Sequence, residues 1–132
     1  MATFDPWLAQ LAAAGKGPVT LYAFRGRAFS QTITLSGNWT GATMRGQIRL
    51  EPDAATSLAA FTVTGPVIVG DATQFTISLA AGSGANSTGV LPADAAGENY
   101  IELPFDLLMT PAGGAEDTLF GGVFTLVGRI TA

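Results

Sequence analysis

The chain has 132 residues, a net charge of −4, and neither cysteine nor histidine. Its length is typical of one domain. The missing cysteines exclude zinc–thiolate sites and thiol catalysis, and the missing histidines exclude a Ser-His-Asp triad within the chain. Six Lys and Arg residues against ten Asp and Glu residues argue against DNA or RNA binding, which depends mainly on basic side chains at the phosphates.

The first element is predicted to be a short helical arm over residues 1–17. Trp7, Leu8 and Leu11 share one face at helical spacing, and Gly15 fits the position after the helix C-cap. A helix of about ten residues is unstable alone in water, so this face must pack against something. Its own domain and a neighbouring subunit are both open, and we favour the neighbour slightly because glycines flank Lys16 and offer a hinge.

The rest of the chain, residues 18–132, is predicted to be a single β-sandwich domain. The clearest strand runs from Ala42 to Leu50, where small or apolar residues alternate strictly with Thr, Arg and Gln. Such alternation is typical of a half-buried strand with one wet face.

Similar apolar groups recur along the chain, among them Val67 to Val69, with turn-forming residues such as Gly70-Asp71 between them. Strands separated by turns about every 8–12 residues are typical of a sandwich. The sequence therefore predicts an all-β, antiparallel immunoglobulin-like β-sandwich of seven to nine strands, preceded by the short N-terminal helix. The side chains predicted to fill its core are Phe29, Ile33, Leu35, Met44, Ile48, Phe61, Val63, Phe75, Ile77, Leu103, Phe105, Phe124 and Leu126.

Two segments are candidates for chemistry. The stretch from Ala80 to Gly89 is rich in Gly but lacks the lysine of a Walker A phosphate loop, so it is predicted to be a flexible hairpin loop. Glu98, Glu102 and Asp106 share one strand face and could supply a glycosidase carboxylate pair, although a solvated outer face explains the same spacing and is favoured. We predict that the chain is not an enzyme and holds no catalytic residues, cofactor or metal ion.

Six residues are candidates for contact with a partner. Arg45 and Arg49 lie on one strand face and could bind an acidic partner or an anionic glycan; pairing with acids across the sheet is the alternative. Trp39 lies in a loop and could anchor a partner or cap the end of the core. The remaining candidates are the arm residues Trp7, Leu8 and Leu11.

The run from Arg25 to Arg49, RGRAFSQTITLSGNWTGATMRGQIR, contains a Thr-Gly-Ala-Thr segment followed by a strand that ends in Gln-Ile-Arg. It resembles phage baseplate and tail proteins related to the upper baseplate protein family, which begin with an immunoglobulin-like domain. The segment from Leu91 to Leu107 and the closing stretch from Thr118 to Leu126 resemble later strands of that family. Pro104 departs from the pattern and predicts that its strand is bulged or at an edge, because proline lacks a ladder donor.

The resemblance implies a structural and interaction module of a bacteriophage or prophage tail or baseplate. Such a module would be made in the bacterial cytoplasm, reside in the virion and contact other virion proteins or copies of itself, so a homo-oligomer is expected. No basic residue marks a signal peptide before Gly15, and no apolar run reaches the ~18 residues that span a bilayer, so no membrane partner is expected. The alternative is a stand-alone surface module, carbohydrate-binding or adhesin-like, which needs exposed aromatics; the candidates are Trp7, Tyr22, Trp39 and Tyr100.

Overall fold

The structure is a computed structural model that describes residues 5–52, 54, 56–92 and 99–128. One α-helix, a short 3-10 helix at Thr88–Val90 and eight strands are present in these ranges. Their bounds are α1 Asp5–Ala13, β1 Val19–Phe24, β2 Phe29–Ser36, β3 Thr43–Ile48, β4 Ala59–Ala60, β5 Thr62–Val69, β6 Ala72–Leu79, β7 Tyr100–Thr110 and β8 Asp117–Val127.

The strands form two facing sheets. The larger has the order β1-β8-β7-β3-β4 and the smaller the order β2-β6-β5. The third, seventh and eighth strands lie together in one sheet while the second, fifth and sixth form the other, which is the arrangement of an immunoglobulin-like sandwich. The predicted fold class is therefore confirmed. One pairing differs from the prediction: β1 runs parallel to β8, so the first strand lies beside the last.

The core between the sheets is built on clustered phenylalanines. The ring of Phe124 lies 5.2 Å from that of Phe29 and 6.0 Å from that of Phe61, and Phe61 lies 6.2 Å from Phe105 in an edge-to-face arrangement. Such aromatic pairs add about 0.5–1.5 kcal/mol each beyond their buried area. Every predicted core residue lies in or against this core; Ile33, Leu35 and Val63 are half-buried and pack around it.

The strand with one buried face that the alternation from Ala42 predicts is confirmed in β3. Ala42, Met44, Gly46 and Ile48 are buried, whereas the intervening side chains face the outer surface. Leu50 lies beyond the end of the strand and is exposed. The apolar stretch Val67–Val69 lies in a strand, as its pattern predicts, but β5 is at the edge of the smaller sheet and these three side chains are exposed.

Pro104 lies in an interior strand, so of the two predicted alternatives, a bulged strand or an edge strand, the edge is wrong. The backbone N–H of Arg49 donates to the Pro104 carbonyl at 3.1 Å, so this carbonyl points toward β3. In an antiparallel ladder the N and C=O of one residue point to the same side, and the pairing of β3 with β7 ends at Ile48 and Phe105. The missing donor therefore lies just beyond the ladder. A register shift does occur in β7, but between Leu107 and Leu108.

The glycine-rich segment after β6, predicted to be a flexible hairpin loop, is hydrogen-bonded to a neighbouring turn. Ser87 and Thr88 are fully buried within it. The Thr88 hydroxyl donates to the Arg27 carbonyl at 2.8 Å, and the Gly82 N–H donates to the Gly26 carbonyl at 3.1 Å. These bonds fasten the segment to the turn that follows β1.

Candidate interaction surface

Helix α1 ends as its sequence indicates. Gly15 has a φ of 72°, in the left-handed region that favours glycine. The Lys16 N–H donates to the Leu11 carbonyl at 2.9 Å and the Gly15 N–H donates to the Ala12 carbonyl at 3.1 Å. This pair of bonds is a Schellman motif, so the predicted role of Gly15 is confirmed.

The helix is seated on the outer face of the larger sheet, over β8. A Cβ atom at Gly121 would lie 3.3 Å from both Leu11 Cδ1 and Trp7 Cζ2, so the absence of a side chain there allows the close approach. The Gly121 N–H also donates to the Lys16 carbonyl at 3.0 Å, and the Lys16 ammonium lies 3.1 Å from the Asp117 carboxylate. The hydrogen bond from Lys16 lowers the pKa of Asp117.

Of the two alternatives that the sequence left open, the structure shows the helix packed on its own domain, which was not the slightly favoured one. Leu11 is buried, and Trp7 and Leu8 are half-buried. The apolar face of the helix packs on its own sandwich because Gly121 offers a surface that the sequence pattern did not reveal.

Loss of the arm is expected to destabilise the domain without changing its association. Leu11→Ala should lower the free energy of unfolding by about 2–3 kcal/mol, the lower part of the range for buried leucines, since Leu11 lies outside the central core. Deletion of residues 1–15 should lower the melting temperature further. Gln10→Ala, at an exposed site on the same helix, is the matched control. Thermal unfolding with light scattering checks both; association lost at an unchanged melting temperature would contradict the seating.

The remaining candidate contact residues already have partners within the chain. The Arg45 guanidinium makes two 2.7 Å hydrogen bonds to the Glu116 carboxylate, and these bonds lower the pKa of Glu116. Arg49 donates to the Ala54 carbonyl at 2.7 Å and to the Gln47 side chain. Pairing within the domain therefore accounts for both arginines, although Arg45 stays exposed.

Trp39 caps one end of the core. Its indole Nε1–H donates to the Ser36 carbonyl at 2.8 Å, and its backbone N–H donates to the Thr73 hydroxyl at 2.9 Å. The ring is half-buried and packs against the core. This geometry fits the interpretation that Trp39 caps the core, because its own loop holds the indole ring against the core.

A shallow depression lies beneath Trp7 on the outer face of the larger sheet. It is open to solvent and has a volume of only about 10 Å³, the room of about one water molecule and far less than the ~300–1,000 Å³ of typical small-molecule sites. Within it, burial raises the pKa of Asp106, and the charges of Arg49 and Arg45 offset this only in part. The lining residues are Trp7, Gln47, Arg49, Pro52, Pro104, Phe105 and Asp106.

The raised pKa of Asp106 gives a pH-dependent stability of defined sign. The folded state holds the proton above the ordinary value of 3.8, so the contribution of this carboxyl to stability falls as pH rises through the folded pKa. Asp106→Asn should therefore raise the melting temperature at neutral pH and reduce its fall between mildly acidic and neutral pH. Melting curves across that range check this; a destabilised variant at neutral pH would show that the arginines outweigh burial.

The other candidate carboxylate is too far from Asp106 to form a catalytic pair with it. Glu102 and Asp106 stand four residues apart on β7, so their Cα atoms are about 14 Å apart at the strand rise of ~3.4 Å per residue. Glycosidase carboxylates lie roughly 5–9.5 Å apart. Glu98 lies outside the described residues. Among the described residues, no three His, Cys, Asp or Glu side chains converge as metal ligands would.

An exposed aromatic face occupies the half of the outer sheet surface that the helix leaves open. Phe24 on β1 and Tyr100 on β7 both lie opposite Val127 of β8, and Tyr22 lies one row away, opposite Thr125. Tyr22 is 66 % exposed, Phe24 46 % and Tyr100 38 %. At the usual strand spacing of ~4.8 Å, Phe24 and Tyr100 stand about 10 Å apart. We call Tyr22, Phe24, Tyr100 and Val127 the aromatic face.

Sequence reasoning named two of these residues and missed one. Tyr22 and Tyr100 were candidates for an exposed aromatic platform, whereas Phe24 was not singled out. The alternation in β1 carried the signal, because Leu21 and Ala23 are buried and Phe24 follows at the next outward position.

No protein-family model and no curated protein matches this chain. In the part of the chain that the structure describes, no helix has the length and apolarity needed to cross a membrane. The fold defines the class as an immunoglobulin-like β-sandwich.

Proposed function

We propose that this chain is a structural and interaction module of a bacteriophage or prophage tail or baseplate, which acts in virion assembly through protein contacts. The observation that carries the interaction role is the aromatic face, where Tyr22, Phe24 and Tyr100 are exposed together on one side of the larger sheet. The tail or baseplate assignment rests on the strand-pattern resemblance from Arg25 onward.

The architecture of the outer sheet surface supports a docking role. β8 presents Gly121, Val123, Thr125 and Val127 on this side; helix α1 covers Gly121, and Val123 and Thr125 are buried. Beyond them the aromatic face is open. Helix α1 thus covers one part of this surface, and the exposed aromatic face is the part that a partner protein could bind.

The composition of the aromatic face also fits a protein partner. Tyr and Phe are enriched at the centres of protein interfaces and charged residues are depleted there. In this chain only 12 % of residues are charged, about half the usual ~25 %. A subunit packed among others needs fewer charges than one fully surrounded by water.

Incorporation into particles tests this proposal. Tailed particles from the phage or prophage that carries the gene should contain the chain, as detected by mass spectrometry. Tyr22→Ser combined with Phe24→Ser should reduce its incorporation strongly, because it removes two of the three exposed rings of the aromatic face. Both side chains are exposed, so their replacement leaves the core intact. Ser30→Ala with Thr32→Ala, at exposed sites on β2, should be incorporated normally. Particles that lack the parent chain, or that accept the aromatic variant as readily as the control, would overturn the proposal.

The aromatic face also favours a second candidate, a stand-alone carbohydrate-binding or adhesin-like module. Aromatic rings on a flat sheet face can stack on sugars, and Tyr22 and Tyr100 were named for that purpose. A glycan array probed with the purified chain distinguishes the two functions. Glycan binding that is lost in Tyr22→Ser would favour the surface module, and its absence would favour the protein contact.

A further inference from the structure

The open edge of the smaller sheet is a second exposed apolar surface. β5 ends the order β2-β6-β5 and pairs only with β6 among the described strands. Its last three residues, Val67, Ile68 and Val69, are 53 %, 40 % and 51 % exposed. Consecutive exposed β-branched residues on an edge strand are unusual, because an unprotected edge is a template for pairing with another strand.

Protection of this edge is confined to the first half of β5. A register shift between Thr64 and Val67 brackets Gly65 and Pro66, and proline and bulges both discourage edge pairing. The segment that follows has neither device, and no residue of β5 is charged. The unprotected segment therefore begins at Val67 and ends at the tight turn of Gly70 and Asp71.

We propose that Val67–Val69 pairs antiparallel with the same segment of a second copy of this chain, about a two-fold axis at Ile68. Val69 and Ala72 close the two-residue turn, which makes them a hydrogen-bonded pair. Hydrogen-bonded and open pairs alternate along an antiparallel ladder, so the N–H and C=O of Ile68 point away from β6. Two copies related by the axis exchange both hydrogen bonds between their Ile68 residues.

The side chains of the segment are complementary to themselves, and the nearest charges do not oppose the pairing. In this register Val67 of each copy lies opposite Val69 of the other, and cross-strand pairs of β-branched residues stabilise a sheet. The nearest acidic residue, Asp71, lies three residues beyond the axis. The two Asp71 side chains are thus about 20 Å apart at ~3.4 Å per residue, well beyond the ~8 Å Debye length at physiological salt. An isologous contact of this kind closes as a dimer.

This contact is independent of the proposed function, because β5 and the aromatic face lie on different sheets. Three residues per copy bury little surface, so the contact is weak in solution and gains strength where an assembly holds two copies close together. Its failure and the failure of the docking proposal are therefore separately detectable.

Disulfide trapping tests the pairing directly, because the chain has no cysteine. Ile68→Cys places two thiols across the axis with Cα atoms about 5.5 Å apart, within the ~4.4–6.8 Å that a disulfide spans. Val67→Cys tests the register, since that thiol faces Val69 of the other copy. Thr32→Cys, exposed on β2 at the opposite edge of the same sheet, is the matched control. Each rate of dimer formation is normalised to the rate at which a small thiol reagent labels the same variant.

Ile68→Cys should form disulfide-linked dimers roughly tenfold faster than either other variant, since pairing raises the local concentration of the facing thiol. Circular dichroism and melting curves confirm that each variant is folded. Equal normalised rates for Ile68→Cys and Thr32→Cys would overturn the proposal. Faster linkage in Val67→Cys than in Ile68→Cys would overturn the two-fold register.

Discussion

Phe124→Ala should lower the free energy of unfolding by about 3–5 kcal/mol, the cost of truncating a well-packed phenylalanine. Phe124 is fully buried, and its ring contacts those of Phe29 on β2 of the facing sheet and of Phe61 between β4 and β5. Its removal leaves a cavity bounded by strands of both sheets, so the packing cannot close easily around it. Denaturant unfolding followed by circular dichroism measures the change.

The matched control is the same substitution at the aromatic face. Phe24→Ala removes the same side chain from an exposed position outside the core. It should change the free energy of unfolding by about 0.5 kcal/mol or less, as surface substitutions usually do. If the two variants were destabilised equally, Phe24 would belong to the core and the aromatic face would lose its central residue.

Gly122→Ala is expected to be comparably damaging for a different reason. A Cβ atom at this position would lie 2.7 Å from the carbonyl carbon of Val19 and closer still to its N and O atoms. These are backbone atoms of β1, which runs parallel to β8 at this point, so no side-chain rotation relieves the clash. Overpacking typically costs about 1–3 kcal/mol, and we expect about 3 kcal/mol because a strand must move.

Gly84→Ala is the control for this substitution. A Cβ atom at Gly84 meets nothing within 4 Å, so the melting temperature should hardly change. Hydrogen exchange gives a second readout for Gly122→Ala, since displacement of β1 should expose the amides of Val19–Phe24 before the rest of the sheet. Uniform protection across both sheets in that variant would contradict the close packing of β1 against β8.

Much of the fold could be predicted from the periodicity of apolar residues in the sequence. Alternation in β3 identified the buried face from Ala42 to Ile48, and the distribution of phenylalanines identified the core around Phe124. These features depend on residues a few positions apart. The parallel pairing of β1 with β8 could not be predicted in this way, because it joins the two ends of the chain.

The features that the sequence did not predict share a physical origin in distant contacts. The seating of Leu11 depends on the bare backbone of Gly121, and the glycine-rich segment is held by a hydrogen bond from the Thr88 hydroxyl to the Arg27 carbonyl. The apolar composition of Val67–Val69 predicts a strand, and only the strand order shows that this strand forms an exposed edge. Composition and spacing indicate which secondary structure a segment prefers, whereas its exposure depends on the elements that pack beside it in the fold.

Photo-crosslinking from the aromatic face inside assembled particles is the most direct test of the account. A benzophenone side chain at position 24 replaces one aromatic ring with another at an exposed site; the same group at position 32 on β2 is the control. Irradiation of purified particles should link position 24 to a protein of the particle, and position 32 should give far less of that product. If position 24 gives no protein adduct in particles that contain the chain, the aromatic face is not the docking surface.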